Sequence, residues 1–261
     1  MQTIIDTHAH FHDIVDPVAA LQASAASGVS DIILPGVDLR SNQCHLALRA
    51  AHAWPRLHPA MGLHPAYVSD ASTEDCFVFM RAHMAEAVAV GETGLDFHYK
   101  WVRADEGKKK EQRAAFARHL DLAREFDLPV IVHSRGAWRE CLDMVTSAGI
   151  RRADFHWYSG PEDVLKDVLD AGFVISCSVA VEYSTEVQRA ILYAPLGSIL
   201  VETDAPAKIP VPSGERVPSI PGDVWRALRA VAAIKGVTVD HALATVNACA
   251  CAVFNLPGFK G

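Results

Sequence analysis

The sequence predicts an α/β chain folded as a (β/α)8 barrel, and its strand pattern and length support this prediction. Eight short runs rich in Val, Ile and Leu recur along the chain, and each is followed by sequence with helical spacing. Such runs are typical of strands that are buried on both faces of a parallel sheet. The 261 residues accommodate eight βα units, since barrels of this class typically contain about 250 residues.

The strands and helices are assigned in chain order. Strands are expected at Thr3–Thr7, Asp31–Leu34, Leu57–Gly62, Ala87–Gly91, Pro129–Val132, Ala153–Phe155, Phe173–Ser176 and Ile199–Glu202. Helices are expected at Val18–Ala26, Asn42–Ala53, Thr73–Met84, Lys109–Phe126, Trp138–Ala148, Glu162–Ala171, Thr185–Tyr193, Asp223–Lys235 and Val239–Phe254. Gly28, Gly149 and Gly172 follow helices and precede strands, as is typical of helix C-termini.

We expect one domain over residues 1–261, because no linker, low-complexity tract or repeat beyond the βα unit is visible. A doubly wound open sheet is the alternative fold. It usually begins with a glycine-rich turn, however, and no G-x-G-x-x-G motif follows the first strand. The least regular segments are Thr93–Lys108 and Ala205–Gly222. Both follow strands, so in a barrel they are expected on the catalytic face.

Composition narrows the class of protein. The net charge of −7 argues against a broad basic surface for duplex nucleic acid. The sequence contains no apolar run of roughly 18 residues and no basic start followed by an apolar stretch, so we expect a cytoplasmic protein without a membrane partner. The six cysteines are scattered without a C-x-x-C pair, which indicates reduced thiols rather than disulfides or a zinc ribbon.

Histidines and carboxylates follow several of the predicted strands. His8 and His10 end the first run, and side chains two apart on a strand point the same way, as chelation of one ion requires. The other strand-end residues are Glu92, His133, His156 and Asp204, and His64 follows the third strand. In a barrel these ends form the face on which enzymes of this fold carry their chemistry.

The joint pattern predicts a metal centre, because burying so many polar groups at one face would be costly without an ion or ordered water. Imidazole and carboxylate groups are the usual ligands of Zn²⁺, and carboxylates also suit Mg²⁺. Six side chains exceed a tetrahedral zinc site but suit two ions about 3.5–4 Å apart with one bridging carboxylate. Glu92 is the candidate bridge, and Asp204 can bind an ion and also accept a proton from the attacking water.

The remaining histidines serve as an internal comparison. Five lie in predicted helices and are expected to be surface or packing residues: His45, His52, His83, His119 and His241. His58 opens a strand and is expected at the opposite end of the barrel, whereas His12 and His98 lie in loops on the catalytic side. The sequence contains no G-x-S-x-G motif and no P-loop, so neither a serine nucleophile nor a nucleotide site of that kind is supported.

These residues occur in motifs that resemble the TatD family of metal-dependent hydrolases, within the amidohydrolase superfamily, over almost the whole chain. The motifs are Asp6-Thr7-His8-Ala9-His10, Gly62-Leu63-His64-Pro65, Gly91-Glu92-Thr93-Gly94-Leu95-Asp96, Gln112 with Phe116, Pro129–Arg135, His156 with Ser159-Gly160, Glu202–Pro206, and Asn247 with Val253-Phe254.

The resemblance implies a barrel with up to two divalent ions and a deoxyribonuclease activity supported by Mg²⁺ or Mn²⁺, with Zn²⁺ also a plausible bound ion. His8, His10 and Asp204 would hold one ion, and His133 and His156 the other. Glu92 would bridge them, and His64 would contact the substrate phosphate. The expected substrate is DNA with single-stranded or frayed ends, cleaved by a metal-activated water in the manner of a 3′–5′ exonuclease, with no obligate protein partner.

The chain departs from the family pattern around the expected substrate rim. Trp157-Tyr158 stands where the family commonly has Cys-Phe, Ala207-Lys208 where it has Tyr-Leu, and Ser219-Ile220-Pro221 where it has Asn-Glu-Pro. Two interpretations of Trp157 and Tyr158 are open: stacking on a base or packing within the loop.

Basic residues near the expected site are candidates for phosphate contacts. Arg135 directly follows the fifth strand, and Lys100, Arg103 and Lys108–Lys110 lie near the loop after Glu92. A solvated helix start is the alternative interpretation of the lysine run.

Two other functions remain open. A two-metal esterase, lactonase or amidase of the same superfamily is the enzymatic alternative, although many such barrels bridge their metals with a modified lysine and no lysine ends the fourth strand. A metal-binding interaction protein without activity is the alternative from another class.

Overall fold

The computed structural model describes residues 2–69, 71–211 and 213–256. Eight parallel strands form one sheet in the order β1 to β8 and alternate with helices, so the predicted (β/α)8 barrel is confirmed. The strands are β1 (Ile4–Asp6), β2 (Val29–Pro35), β3 (Arg56–Met61), β4 (Ala89–Asp96), β5 (Val130–Arg135), β6 (Ala153–Phe155), β7 (Val174–Cys177) and β8 (Ile199–Val201).

The helices between the strands lie close to their predicted positions. They are α1 (Pro17–Ala26), α2 (Leu39–Ala51), α3 (Thr73–His83), α4 (Lys100–Arg103), α5 (Glu106–Phe126), α6 (Trp138–Ser147), α7 (Glu162–Asp170), α8 (Thr185–Tyr193), α9 (Val224–Lys235) and α10 (Val239–Phe254). Thr238 accepts a side-chain hydrogen bond from the His241 N–H and begins α10, which is the N-cap interaction that stabilises a helix start.

Several features differ from the sequence prediction. Strand β5 continues to Arg135, so His133 lies inside this strand and Arg135 ends it. Strand β4 continues to Asp96, so Glu92 lies inside the strand and not at its end. The segment predicted to be least regular after β4 contains the short helix α4. The segment Ala205–Gly222 contains an antiparallel hairpin of β9 (Lys208–Pro210) and β10 (Arg216–Pro218), which short proline-containing strands had concealed.

The chain divides into two compact units. The first contains residues 1–34, 45–58 and 176–261, and the second contains residues 35–44 and 59–175. In the first unit, the Asn247 side chain of α10 accepts from the Ile5 N–H at 3.2 Å and donates to the Thr3 carbonyl at 3.0 Å. This pair of bonds fixes the last helix against β1.

An ion-pair cluster lies in the first unit beside strand β2. The buried Asp31 carboxylate accepts two hydrogen bonds from Arg56, both at 2.7 Å, and lies 2.8 Å from His58 Nε2. Burial alone would raise the pKa of Asp31, but hydrogen bonds from His58 and Arg56 hold it well below its usual range. His58 therefore has a structural partner.

In the second unit, helix α5 packs along β4. The buried Gln112 side chain accepts from the Asp96 N–H at 3.0 Å and donates to the Pro65 carbonyl at 3.1 Å. Phe116, one turn further along α5, is fully buried. These contacts fix the C-terminal end of β4 and the loop after β3 to the same helix.

Among the described residues, no single helix is long and apolar enough to span a membrane. The consecutive helical segments Pro221–Lys235 and Val239–Phe254, bent by 111°, satisfy the length and composition requirement only when taken together. All six cysteines are free thiols.

Candidate metal centre

Three predicted ligands, His8, His10 and Asp204, come together in the first unit. The His10 Nε2 atom lies 3.1 Å from Asp204 Oδ1, and the His8 Nε2 atom lies 3.7 Å from the same oxygen. The two imidazole nitrogens are 3.1 Å apart. Two ring nitrogens and a carboxylate oxygen around one point form a donor set that suits a divalent ion.

The backbone explains why these three side chains are neighbours. The Asp204 N–H donates to the His8 carbonyl at 2.9 Å, and the His10 N–H donates to the Ala205 carbonyl at 2.7 Å. The chain after β1 therefore runs alongside the chain after β8. Asp204 has a left-handed backbone with φ of 52°, a conformation that costs energy for a residue with a Cβ and tends to persist at functional sites.

A buried carboxyl group that the sequence did not single out, Asp6, holds both segments. Asp6 Oδ1 accepts from the His8 N–H at 3.2 Å and the Thr203 N–H at 3.0 Å, and Oδ2 accepts from the Thr203 hydroxyl at 2.6 Å. Burial raises the pKa of Asp6 to about 8, although the hydrogen bonds from Thr203 and His8 favour its ionised form. Asp6 thus positions residues adjacent to Asp204 as well as His8.

The second unit contains a separate donor set on strands β4 and β5 and their neighbours. Glu92 Oε1 lies 2.8 Å from His133 Nδ1, 3.7 Å from His64 Nε2 and 3.9 Å from His156 Nε2. Ligand atoms of His64, Glu92 and His133 all lie within 4.8 Å of one another. Glu92 is therefore central to this set, as its role as a predicted ligand requires. Its predicted bridging role stays a prediction.

Asp96 is a member of this site for which the sequence pattern predicted no role. Its Oδ2 atom lies 3.0 Å from His133 Nε2, on the opposite side of the ring from Glu92. Carboxylates that accept from the second nitrogen of a ligand histidine fix the orientation of its ring. Burial would lower the pKa of His133, but the hydrogen bonds with Asp96 and Glu92 raise it to about 9. The alternation Glu92, Gly94, Asp96 on one strand is the signal that would have identified Asp96.

Gly94 allows β4 and β5 to approach each other at this site. A Cβ atom on Gly94 would lie 2.0 Å from the His133 carbonyl oxygen, and its φ of +142° is one that residues with side chains rarely adopt. Only glycine fits at position 94 while Glu92 and Asp96 flank His133.

A second buried histidine, His119 of α5, holds the loop that carries His64. Its Nε2 atom accepts from the Leu63 N–H at 3.0 Å, and its Nδ1 atom donates to the Ala115 carbonyl at 2.7 Å. These partners define a neutral ring, and burial lowers the pKa of His119 to about 4. His119 was predicted to be a surface or packing residue, and its hydrogen bonds give it a positioning role besides.

The hydrogen bond of His64 to the backbone defines which of its ring nitrogens carries the proton. Its Nδ1 atom accepts from the Ala66 N–H at 3.1 Å. In the neutral ring the proton is therefore on Nε2, the atom directed towards Glu92 and His133. This tautomer favours a hydrogen-bond donor at Nε2 over a metal ligand.

The rim residues have different environments. Tyr158 is 1% exposed and its hydroxyl donates to the Pro161 carbonyl at 2.8 Å, so it packs within the loop and cannot stack on a base. Trp157 is half-buried and has a left-handed backbone. Arg135 lies exposed at the end of β5, as its predicted contact with substrate requires.

Two members of the lysine run form salt bridges. Lys108 pairs with Glu111 at 3.0 Å, and Lys109 pairs with Glu106 at 2.6 Å, both within α5. These two lysines therefore stabilise a solvated helix start, which was the alternative interpretation.

The other residues that depart from the family pattern belong to the hairpin segment Ala205–Gly222. They are Ala207, Lys208, Ser219, Ile220 and Pro221. The Ser219 N–H donates to the Ala207 carbonyl at 2.9 Å, and Lys208 and Ile220 are exposed. The segment that departs from the family pattern is thus ordered by its own backbone hydrogen bonds.

A (β/α)8 barrel with histidines and carboxylates on or just after its strands is the arrangement found in metal-dependent hydrolases of this fold. Within that class, the chain belongs to the TatD family: the family model described as TatD related DNase matches residues 5–255. The chain is therefore a metal-dependent hydrolase of this family.

Individual relatives support the assignment. An uncharacterized metal-dependent hydrolase TatD of Mycobacterium tuberculosis is 32% identical over 80% of this chain and 82% of its own length. A human protein named deoxyribonuclease TATDN3 is 30% identical over 72% of this chain and 68% of its own length. The crystal structure of the TatD homologue YjjV from Escherichia coli K12 superimposes with a TM-score of 0.85 at 29% identity, covering 97% of this chain and 98% of that one.

Proposed function

We propose that this hydrolase is a deoxyribonuclease that cleaves phosphodiester bonds at single-stranded or frayed DNA ends in the cytoplasm, in the manner of a 3′–5′ exonuclease. The observation that carries the proposal is the pair of donor sets, one in each unit. Each combines a carboxylate with imidazole nitrogens between 2.8 and 3.9 Å from its oxygen. Metal ions held by protein ligands are common in enzymes that hydrolyse phosphodiesters.

The donor sets fit two divalent ions. His8, His10 and Asp204 would hold one ion, and Glu92, His133 and His156 would hold the other. His133 fits a ligand role because its second nitrogen is held by Asp96. When bound, Mg²⁺, Mn²⁺ or Zn²⁺ supplies Lewis acidity and lowers the pKa of a coordinated water.

The protein's own groups would then bind the substrate and move the proton. Asp204 accepts a proton from the attacking water through its carboxylate, whose side chain is 18% exposed. His64 donates a hydrogen bond from its Nε2–H group to a phosphate oxygen, because its Nδ1 atom already accepts from the Ala66 N–H. Arg135 contributes positive charge at the open end of β5.

The preference for DNA rests on the relatives. The family is described as DNase-related, and the human relative is named a deoxyribonuclease. The altered rim residues lie outside the two donor sets, which contain all six predicted ligand side chains, and this supports retention of the phosphodiester chemistry.

The direct test uses end-labelled single-stranded DNA with Mg²⁺, Mn²⁺ or Zn²⁺. We expect cleavage by the unaltered protein and its loss in Glu92→Ala and Asp204→Ala. The variant Glu162→Ala, at an exposed position of α7, is the matched control and should retain activity. Cleavage by the unaltered protein no greater than by the two site variants would refute the deoxyribonuclease assignment.

A panel of lactones, esters and amides with the same variants would then test the small-molecule alternative. Metal analysis tests the remaining alternative, a metal-binding interaction protein without activity. Stoichiometric metal without any hydrolysis would favour an inactive binding protein, whereas failure to bind metal would contradict every enzymatic assignment.

A further inference from the structure

A half-buried tyrosine, Tyr99, and an exposed tryptophan, Trp101, form an aromatic pair next to the second donor set, on the segment between β4 and α5. The rings of Tyr99 and Trp101 stack with centroids 5.5 Å apart and an interplanar angle of 15°. Trp101 is 45% exposed, while its neighbour Val102 is completely buried and anchors α4. The segment is therefore fixed to the protein with the indole outside the core.

The same carboxyl group that orients His133 positions this pair. Asp96 Oδ1 accepts from the His98 N–H at 2.8 Å and from the Tyr99 N–H at 3.3 Å, while Oδ2 contacts His133. The Tyr99 carbonyl in turn accepts from the Val102 N–H at 3.0 Å and the Arg103 N–H at 2.9 Å. Asp96 thus links the backbone of the aromatic pair directly to the donor set.

The rings form a continuous row from the donor set to solvent. The His133 and His64 centroids are 4.4 Å apart, those of His64 and Tyr99 are 6.5 Å apart, and Tyr99 stacks on Trp101. His64 is the residue proposed to contact the phosphate. A nucleotide with its phosphate at His64 would therefore have an aromatic surface within reach of its base or of the neighbouring base.

Cationic side chains flank the pair. Lys100 and Arg103 are exposed and form no ion pair with any residue in the described ranges. Lys108 and Lys109, by contrast, are neutralised by Glu111 and Glu106. Unpaired positive charge next to stacked aromatic rings is the combination with which proteins bind single-stranded nucleic acid.

We infer that Tyr99 and Trp101 form a stacking subsite for an unpaired base of single-stranded DNA, with Lys100 and Arg103 contacting its backbone; this inference rests on the proposed function. The interior bases of duplex DNA do not fit, because the neighbouring base pairs cover both faces of each base. The subsite gives the enzyme a preference for frayed or single-stranded ends while the chain as a whole remains acidic.

The test measures binding separately from cleavage. Fluorescence anisotropy of the metal-loaded protein, with a labelled single-stranded oligodeoxynucleotide that carries non-hydrolysable linkages, reports affinity without hydrolysis. Stacking on one aromatic side chain corresponds to a loss of about 5- to 150-fold in affinity on alanine substitution. We expect such a loss for Trp101→Ala and a much smaller one for Trp101→Phe. Trp54→Ala is the matched control, because Trp54 is 51% exposed and lies in the other unit.

A second oligonucleotide set identifies what Trp101 recognises. Replacing each of the three terminal bases at either end by a tetrahydrofuran abasic analogue should weaken binding to the unaltered protein at one position. The same replacement should have little further effect on Trp101→Ala, because the stacking partner is already absent. Independent, additive losses would overturn the subsite.

The outcomes separate this inference from the proposed function. DNA cleavage with an unchanged KM in Trp101→Ala would refute the subsite and leave the deoxyribonuclease intact. Trp101-dependent binding without cleavage would refute the deoxyribonuclease and leave the subsite intact. A change of oligomeric state in Trp101→Ala by light scattering, with unchanged DNA affinity, would identify the pair as a contact between copies of this chain and overturn the inference.

Discussion

Replacing His119 by leucine tests how the loop carrying His64 is held. His119 is completely buried, and its ring accepts from the Leu63 N–H and donates to the Ala115 carbonyl. Leucine is of comparable size but cannot form hydrogen bonds, so the main loss is the acceptor for the buried Leu63 N–H. An unsatisfied buried donor costs about 1–3 kcal/mol. We expect His119→Leu to lower the free energy of unfolding by about 2 kcal/mol at pH 7.5.

The effect should depend on pH in a defined direction. Burial lowers the pKa of His119 from 6.5 to about 4. Neutral His119 therefore contributes stability that is fully present above pH 6.5 and is lost as the pH falls towards 4. Between pH 6.5 and pH 5, an interval of about 1.5 pH units, the unfolded state takes up the proton and the folded state does not. The free energy of unfolding therefore falls by about 2 kcal/mol, at 1.36 kcal/mol per unit.

Urea unfolding at pH 7.5 and pH 5, followed by circular dichroism in metal-free buffer, measures both quantities. The stability difference between the unaltered protein and His119→Leu should nearly vanish at pH 5. The variant His241→Leu, at an exposed position of α10, controls for removal of an imidazole and should cost less at pH 7.5. A difference for His119→Leu that is the same at both pH values would refute the assignment of a neutral, hydrogen-bonded ring.

Three further substitutions test other contacts. Asp31→Asn should lower the free energy of unfolding by urea by about 2 kcal/mol at pH 7, because it removes a buried charged acceptor. The difference from the unaltered protein should shrink below about pH 4, because the pKa of Asp31 is depressed in the folded state. An undiminished difference in acid would contradict this. Gly94→Ala should reduce bound metal and activity at least tenfold, because the added Cβ atom would overlap the His133 carbonyl. The control Gly149→Ala also has a positive φ, but its Cβ atom would enter open space, so it should cost only about 1 kcal/mol in stability. Equal effects of the two substitutions would contradict the role of close approach. Lys235→Met should lower the free energy of unfolding by about 1–2 kcal/mol, because the Lys235 Nζ atom donates to three carbonyls at 2.8–3.2 Å at the end of α8. An unchanged midpoint of thermal unfolding would contradict this prediction and show that water replaces these bonds.

The fold was predictable because its signal is repeated. Each strand is an apolar run and each helix has its own spacing, so an error at one boundary leaves the other elements in place. Strand β4 shows the limit of this pattern, since Glu92, Thr93, Gly94 and Asp96 do not form an apolar run. Their strand conformation comes from pairing with β5, which a local pattern does not reveal.

The ligand candidates were predictable from position, whereas the residues that hold them were not. His8 and His156 follow strands closely, and strand ends meet at one face of this fold. Asp96 and His119 act through hydrogen bonds to partners 37 and 56 residues away. Nothing in the local sequence encodes such a pairing, and the same applies to the ring row that ends at Trp101.

The hydrogen bonds of Asp6 have a consequence for how such sites are mapped by mutation. One buried carboxyl group holds the chain before His8 and the chain before Asp204, two segments almost two hundred residues apart. We expect a substitution there to displace both predicted ligands, His8 and Asp204, and to lower activity as strongly as removal of either. A mutational scan scored by activity alone would therefore count Asp6 among the ligands. Only a direct measurement of coordination would separate the residues that touch the ion from the residue that aligns them.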